Sequence, residues 1–269
     1  MITSNNYYRS NIFEAVKAES NAEFRTWFAF ERFKIMTSFQ EAVYYNCCKI
    51  AEDFKGRALY VALSGGADSE FIARTFKRYY IPFTPIIVET PANNIELQYA
   101  FRLVRELKIN PIVISLKDTD IEEYFMDKIY LRLNSLSINN TYTLLATEKA
   151  NQLGGIIING DNLIGDNGKL ESDAFEFFAD ILYKDNVGFY NYTQELAYAM
   201  VNEVRRGESP PDFKSRVYRT SWRPKFIPQY SSDMMSRLLL LPKRHEKSET
   251  FSLGEPQAWL NKMRLFGDV

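Results

Sequence analysis

Histidine and cysteine are scarce in this chain of 269 residues: His245 is its one histidine, and Cys47 and Cys48, adjacent in YYNCCKIAEDF, are its only cysteines. That leaves no Cys/His set spaced for zinc and no disulfide framework. A Ser-His-Asp or Cys-His machine would have to rest on His245 alone, in the charged stretch PKRHEKSET. Neighbouring cysteines rarely bridge to each other, so both read as small buried hydrophobes on a helix. No run of about eighteen apolar residues exists to span a membrane. The start, MITSNNYYRSN, lacks the charged-then-apolar pattern of a signal peptide, so a cytoplasmic location is expected. An excess of one charge sign is missing as well, with 33 Lys and Arg against 34 Asp and Glu. That balance argues against a broad electrostatic footprint for nucleic acid or an anionic membrane.

What the chain does have is apolar and aromatic mass, 46% and 15% of its residues, enough for a sizeable core. In the middle of the sequence, RALYVAL (57–63), TPIIVE (84–89), PIVISL (111–116) and GIIIN (155–159) read as strands buried on both faces. Between them, 68–80, 93–108, 119–133 and 141–153 carry helical periodicity, the last stopped by Gly154 and Gly155. Strands alternating with helices predict an α/β fold with a parallel, doubly wound sheet. The flanks differ. Residues 20–54 read as mostly helical, and helical patterns return at 172–184 and 193–206. Three parts are therefore expected: a helical, aromatic-rich N-terminal segment 1–56, an α/β core 57–170, and a helical C-terminal region 171–269 that completes the substrate site.

Ligands of such sheets lie beyond the carboxyl ends of the strands. SGGADS, Ser64 to Ser69, stands there after the first apolar run, and GDNLIGD (160–166) after the fourth. A glycine-rich turn opening a helix aims backbone N–H groups and the positive helix end at one spot, which suits a phosphate or pyrophosphate. Gly65 and Gly66 would let the backbone approach closely, Ser64 and Ser69 would add hydroxyl donors, and Asp68 suits a Mg²⁺ ion bridging phosphates. The plainer alternative is a simple turn with Asp68 or Ser69 as the helix N-cap. A P-loop is excluded, because GDNGKL (165–170) ends in Leu where Ser or Thr is needed.

SGGADS resembles the SGGxDS pyrophosphate loop of the N-type ATP pyrophosphatases, over roughly residues 57–165. The resemblance implies a parallel sheet ordered 3-2-1-4-5 and cleavage of ATP to AMP and pyrophosphate by adenylation of a substrate oxygen. Carried onto this chain, Ser64, Gly65, Gly66, Ala67 and Ser69 would hold the pyrophosphate and Asp68 would bind Mg²⁺. Ala62–Leu63 and Val88–Glu89 would hold the adenine through backbone groups. Gly160 would face the nucleotide, with Asp161, and Asp166 beside it, toward the metal; for Asp161 an Asx turn is the structural alternative.

Within that superfamily, GFYNYTQELAYAM (188–200), FKSRVYR (213–219) and RPKF (223–226) resemble the synthetase half of asparagine synthetases. That implies Lys214, with Lys225 as a second candidate, neutralising charge on the β- or γ-phosphate. The chain departs from those enzymes at Ile2, where their glutaminase cysteine stands. Nitrogen would then come as free ammonia or an amine, or from a partner subunit. Thiolating, sulfonucleotide-reducing and nitrile-forming branches need cysteines that this chain lacks. A tRNA-modifying branch needs a basic face. The expectation is an ATP-dependent ligase acting on a small-molecule acceptor, with ATP and Mg²⁺. The alternative is a non-catalytic nucleotide-binding module or an ATP-using subunit of a larger assembly.

Overall fold

Short aromatic and β-branched stretches pair early in the chain. Tyr8–Ser10 (β1) and Thr26–Phe28 (β2) form an antiparallel ribbon, with Tyr8 opposite Phe28 and Ser10 opposite Thr26. At Thr26–Phe28 this corrects the expectation of a mostly helical 20–54, since Thr, Trp and Phe favour the extended chain, whereas Phe39–Asp53 is helical as expected. The computed structural model describes residues 8–10, 26–28, 34–36, 38–130, 140–160, 186–204 and Met234. The helix expected at 172–184 lies outside the described residues.

Phe39–Asp53 forms α1, started by Ser38, whose hydroxyl accepts the Glu41 N–H at 3.1 Å. Its buried residues, Phe39, Ala42, Val43, Asn46, Cys47 and Ile50, recur at helical spacing and make one face. Cys47 is on that face, and burial pushes its thiol far above the ordinary range. Cys48 is exposed, which corrects the expectation that both cysteines are buried. One residue along a helix turns the side chain by about 100°, and here that step carries it from core to solvent.

Five strands make the main sheet: β3 (Leu59–Ala62), β4 (Thr84–Glu89), β5 (Ile112–Ser115), β6 (Ile156–Asn159) and β7 (Asn186–Gly188). All pairs are parallel and the order is β5-β4-β3-β6-β7. Counted from β3, that is the 3-2-1-4-5 order which the resemblance implies. The helices between them are α2 (Ala67–Arg78), α3 (Asn94–Leu107, entered through a 3₁₀ turn at Pro91–Asn93) and α4 (Asp118–Tyr124, continued by a π-turn at Phe125–Tyr130). Asn140–Gln152 (α5) and Gln194–Val204 (α6) complete the described set. None of these helices is long and apolar enough to cross a membrane.

Strand alternation divides the core into two layers. Leu59, Val61, Ile156 and Ile158 pack with α1, α2 and α6, whereas Tyr60, Ile86, Val88 and Ile157 pack with Ala146 and Ala150 of α5. The central strands β3, β4 and β6 are buried as expected. β5 is not: it is an edge strand with alternating exposure, Val113 and Ser115 lying on the open side.

α1 is built into this core. Phe39, Val43 and Ile50 share a cluster with Ile72, Phe189 and Leu196. A buried polar link reinforces the packing. Asn46 Nδ2 donates to the Phe189 carbonyl at 3.0 Å, and Thr193 Oγ1 donates to Asn46 Oδ1 at 2.8 Å. Thr193 also accepts the Leu196 N–H at 3.4 Å, which starts α6. Asn46→Ala would leave both partners buried without their bonds, a loss expected at about 2–4 kcal/mol. Urea denaturation monitored by circular dichroism checks this, and a loss below about 1 kcal/mol would show that the link is not a structural one.

Candidate functional site

The site is built where β3 ends and α2 begins. Leu63 N–H still bonds the Ile86 carbonyl of β4 at 2.9 Å, and the chain then turns through Ser64, Gly65 and Gly66. Gly65 has φ +96°, and a Cβ there would strike the Glu96 carbonyl oxygen and lie 3.3 Å from the Ala100 nitrogen of α3. Only glycine meets both conditions. Gly66 is the N-cap of α2 in extended conformation, and no side chain caps the helix. The alternative of Asp68 or Ser69 as N-cap is thus set aside.

Hydroxyl groups organise the turn instead. Gly66 N–H donates to Ser64 Oγ at 3.2 Å, Ser69 Oγ donates to the Gly66 carbonyl at 3.2 Å, and the two hydroxyls lie 3.2 Å apart. The first helical bond runs from Glu70 N–H to the Gly66 carbonyl at 3.1 Å. The N–H groups of Ala67, Asp68 and Ser69 precede it and belong to the positive end of a twelve-residue helix. This arrangement can hold an anion through main-chain donors.

Two other elements close on the first turn of α2. A Cβ on Gly160, just past β6, would sit 3.2 Å from the Ser69 nitrogen and 3.4 Å from the Asp68 carbonyl carbon. The structure therefore brings Gly160 against the loop, as its place after the fourth apolar run predicts. Tyr190, fully buried beyond β7, donates its hydroxyl to the Asp68 main-chain carbonyl at 3.0 Å. On the outer side, Glu70 holds Arg74 at 2.7 Å, and Arg74 grips Glu106 of α3 through two bonds of 2.6 and 2.7 Å. Arg74 draws the Glu106 carboxyl below its ordinary range.

The backbone groups expected to meet adenine lie at the ends of adjacent strands and carry bonds of their own. Ala62 is paired with Ile86 in the sheet. The Val88 carbonyl accepts from Asn93 Nδ2 at 2.9 Å, and the Glu89 carbonyl accepts from the Leu116 N–H at 2.9 Å. Ser115 donates to Glu89 Oε2 at 2.8 Å. Thr90 and Asn93 form a capping box around the 3₁₀ turn, and the Thr90 hydroxyl reaches Tyr142 of α5 at 3.3 Å.

No protein-family model and no curated protein matches the chain in sequence. Its structural neighbours are NAD and NMN synthetases. Among solved structures it is similar to an NMN synthetase from Francisella tularensis, with 15% identity over 76% of this chain and 92% of the other, at a TM-score of 0.39. It is similar to an NH3-dependent NAD synthetase from Campylobacter jejuni, with 16% identity over 80% and 96% of the two chains, at 0.41. A glutamine-dependent NAD+ synthetase from Acinetobacter baumannii, in complex with ADP, shares 14% identity over 90% of this chain and 46% of its own length, at 0.41. The α/β class itself rests on the parallel sheet described above.

Ser64 to Ser69, Gly160 and the ends of β3 and β4 thus lie on one edge of the sheet, and the first turn of α2 gathers the loop and Gly160. Asp161, Asp166, Lys214 and Lys225 lie outside the described residues. Among the described residues no group of three or more His, Cys, Asp or Glu is placed to hold a metal ion. Asp68 alone still fits Mg²⁺, which is commonly held by one or two carboxylates together with substrate phosphates and water.

Glu96 and Tyr190 carry no signal in the motif, because each reaches the loop only through the fold. Thr90 and Asn93 do carry one: TPAN holds a capping pair around a proline, an ordinary helix-entry pattern. Glu96 Oε1 lies 3.6 Å from the point where Gly66 would carry a Cβ, and burial pushes its carboxyl up to about 7.

Two outcomes follow from this geometry. Gly56 also has positive φ (+87°), but with open space around it. Gly56→Ala is expected to cost about 1–2 kcal/mol from backbone strain alone, and Gly65→Ala about 1–3 kcal/mol more from the collision with α3. Equal losses in denaturant melts would refute the close approach. The Glu96 carboxyl titrates at about 7 when folded and near 4.5 when unfolded, so stability is greatest below the lower value and falls as pH rises to the upper one. Glu96→Gln should remove that slope, becoming more stable than wild type above pH ~7 by about 1–3 kcal/mol. Melts from pH 4 to 8 that change in parallel for the two proteins would count against it.

Proposed function

We propose that the chain is an ATP pyrophosphatase-type ligase that adenylates a substrate oxygen, a carboxylate being the best fit, and then lets nitrogen displace AMP. The observation that carries the reading is the uncapped start of α2, with Gly65 and Gly66 bare and the Ser64 and Ser69 hydroxyls turned into the loop. Main-chain N–H groups at the positive end of a helix suit the pyrophosphate portion of ATP. The adenine would lie toward the ends of β3 and β4, by Ala62–Leu63 and Val88–Glu89. The NAD and NMN synthetases found among solved structures lend this no weight at their TM-scores, and the asparagine-synthetase resemblance adds Lys214 and Lys225 only as candidates.

In this reading the acceptor oxygen attacks the α-phosphorus, the bond from that phosphorus to the bridging oxygen breaks, and pyrophosphate leaves onto the loop. A nitrogen nucleophile then attacks the acyl carbon, the carbon–oxygen bond breaks, and AMP leaves as the nitrogen gives its proton to solvent. The work of this chain is mostly to hold the phosphates in line and to stabilise charge on the leaving group. Asp68 would supply a carboxylate to Mg²⁺, and Asp161 is the second candidate. Mg²⁺, when bound, neutralises charge on the phosphate oxygens.

Product analysis tests the reading. Mg·ATP is offered with ammonium and a panel of carboxylates, including aspartate and the acid forms of NAD and NMN, and nucleotides are separated by chromatography. AMP and pyrophosphate should form in an acceptor-dependent manner. Asp68→Ala should lower turnover by about 10²-fold or more while ATP binding in the absence of metal changes little. Full activity in Asp68→Ala, or ADP and phosphate as products, would overturn the assignment. ATP binding without AMP formation for any acceptor would favour the non-catalytic binding module.

A further inference from the structure

The missing Cβ of Gly66 leaves a small space beside the loop, bounded by two oxygen atoms. Ser64 Oγ lies 3.3 Å from the ideal Cβ position and Glu96 Oε1 lies 3.6 Å from it. Ser64 belongs to the anion-binding turn, so the Glu96 carboxyl stands on the same side of Gly66 as one of the hydroxyls that shape it. The backbone of Glu96 makes the close approach to Gly65 as well. A carboxyl so placed is adjacent to two helix starts, the N-cap of α2 at Gly66 and the first turn of α3. Both favour negative charge. An arriving phosphate makes use of the same favourable field, and two like charges at close quarters oppose each other.

We infer that Glu96 is a further residue of the anion site: an anion seated on Ser64–Ser69 binds together with a proton taken up by the Glu96 carboxyl, so anion affinity falls as pH rises. This rests on the functional reading above and names how that site responds to its ligand. The proton comes from solvent and returns there on release, and no bond but the carboxylic O–H is made or broken. Among the described residues, the other titratable groups on elements packed against α3 are Asp68, Glu70, Arg74, Lys77 and Arg78 on α2 and Glu89 at the end of β4. Glu70 is engaged with Arg74, and Glu89 accepts from Ser115. On α3 itself, Arg102 stands over the Tyr99 ring at 5.2 Å, and Glu106 holds Arg74. Burial is the cause that lifts Glu96 to about 7, within the range over which the effect would be read.

Inorganic pyrophosphate, without metal, is the probe. Its dissociation constant is measured by titration calorimetry for the wild type and for Glu96→Gln at pH 6 and pH 8. The ratio of the wild-type to the variant constant divides out the titration of pyrophosphate itself. One linked proton predicts a rise of about tenfold in that ratio between the two pH values. Binding by both proteins with a constant or falling ratio overturns the inference and leaves the functional reading standing. Failure of the wild type to bind pyrophosphate at both pH values removes the functional reading, and this inference with it. Should the variant fail to fold, the wild type is titrated at pH 7.5 in two buffers of different ionisation enthalpy. Uptake of about three-quarters of a proton beyond that of pyrophosphate supports the inference, and no excess overturns it.

Discussion

The loop and α3 meet backbone to backbone, with the Glu96 carbonyl filling the space where any residue but glycine at position 65 would carry its side chain. That contact sets how far the turn after β3 is pressed against the sheet, and therefore where the start of α2 points. The position of α3 is in turn set by the end of β4. Asn93 accepts the Thr90 N–H at 2.9 Å and donates to the Val88 carbonyl at 2.9 Å, which fixes the residue at which the 3₁₀ turn hands over to the helix. The geometry of the turn that we propose to hold an anion is thus set by side chains, Thr90 and Asn93, that lie outside it.

The other side of α2 is held with equal care. Tyr190 donates to the Asp68 carbonyl, Gly160 abuts Ser69, and the segment carrying Tyr190 is fastened to α1 through Asn46. Tyr192 adds a second tie to α1, its hydroxyl donating to Asp53 at 2.6 Å, while Lys49 holds the same carboxylate at 2.7 Å. Stabilising charge with main-chain donors is effective only if the donors need not rearrange when charge arrives. A helix start clamped by elements from both ends of the sheet satisfies that condition. It also explains why α1, which precedes the first strand of the main sheet, shares the core with α2 and α6: it is the anchor for the segment beyond β7.

The parts of the fold legible in the sequence are those with strong local signals. The runs LYVA, TPIIVE and IIIN are apolar throughout because β3, β4 and β6 are covered on both faces. β5 looks alike in sequence, but at the sheet edge Val113 is left exposed, and composition does not distinguish an edge from a centre. β7 has only three residues, Asn186–Gly188, too few for any period to show. Its register is imposed by β6. At the site, the glycines and hydroxyls of SGGADS were legible because their chemistry is local. Glu96 and Tyr190 were not, because they are brought to the loop by tertiary packing across 30 and 122 positions from Gly66 and Asp68. Cys48 shows the same limit on a smaller scale: a helix places two identical neighbours in opposite environments.

A chain with one histidine is poorly equipped to respond to pH near neutrality only if histidine is taken as the sole group able to do so. An ordinary glutamate titrates near 4.3, too low to sense that range. Removing its water raises the value, because the charged form loses more solvation than the neutral one. Glu96, whose main-chain carbonyl demands glycine at position 65, has its carboxyl desolvated by burial. The residue that shapes the turn therefore also carries the carboxyl that burial pushes up to about 7. Loosening the packing around that residue would be expected to change both together: a turn opened to water would lose the orientation of its donors, and Glu96 would return toward the titration of a solvated carboxylate.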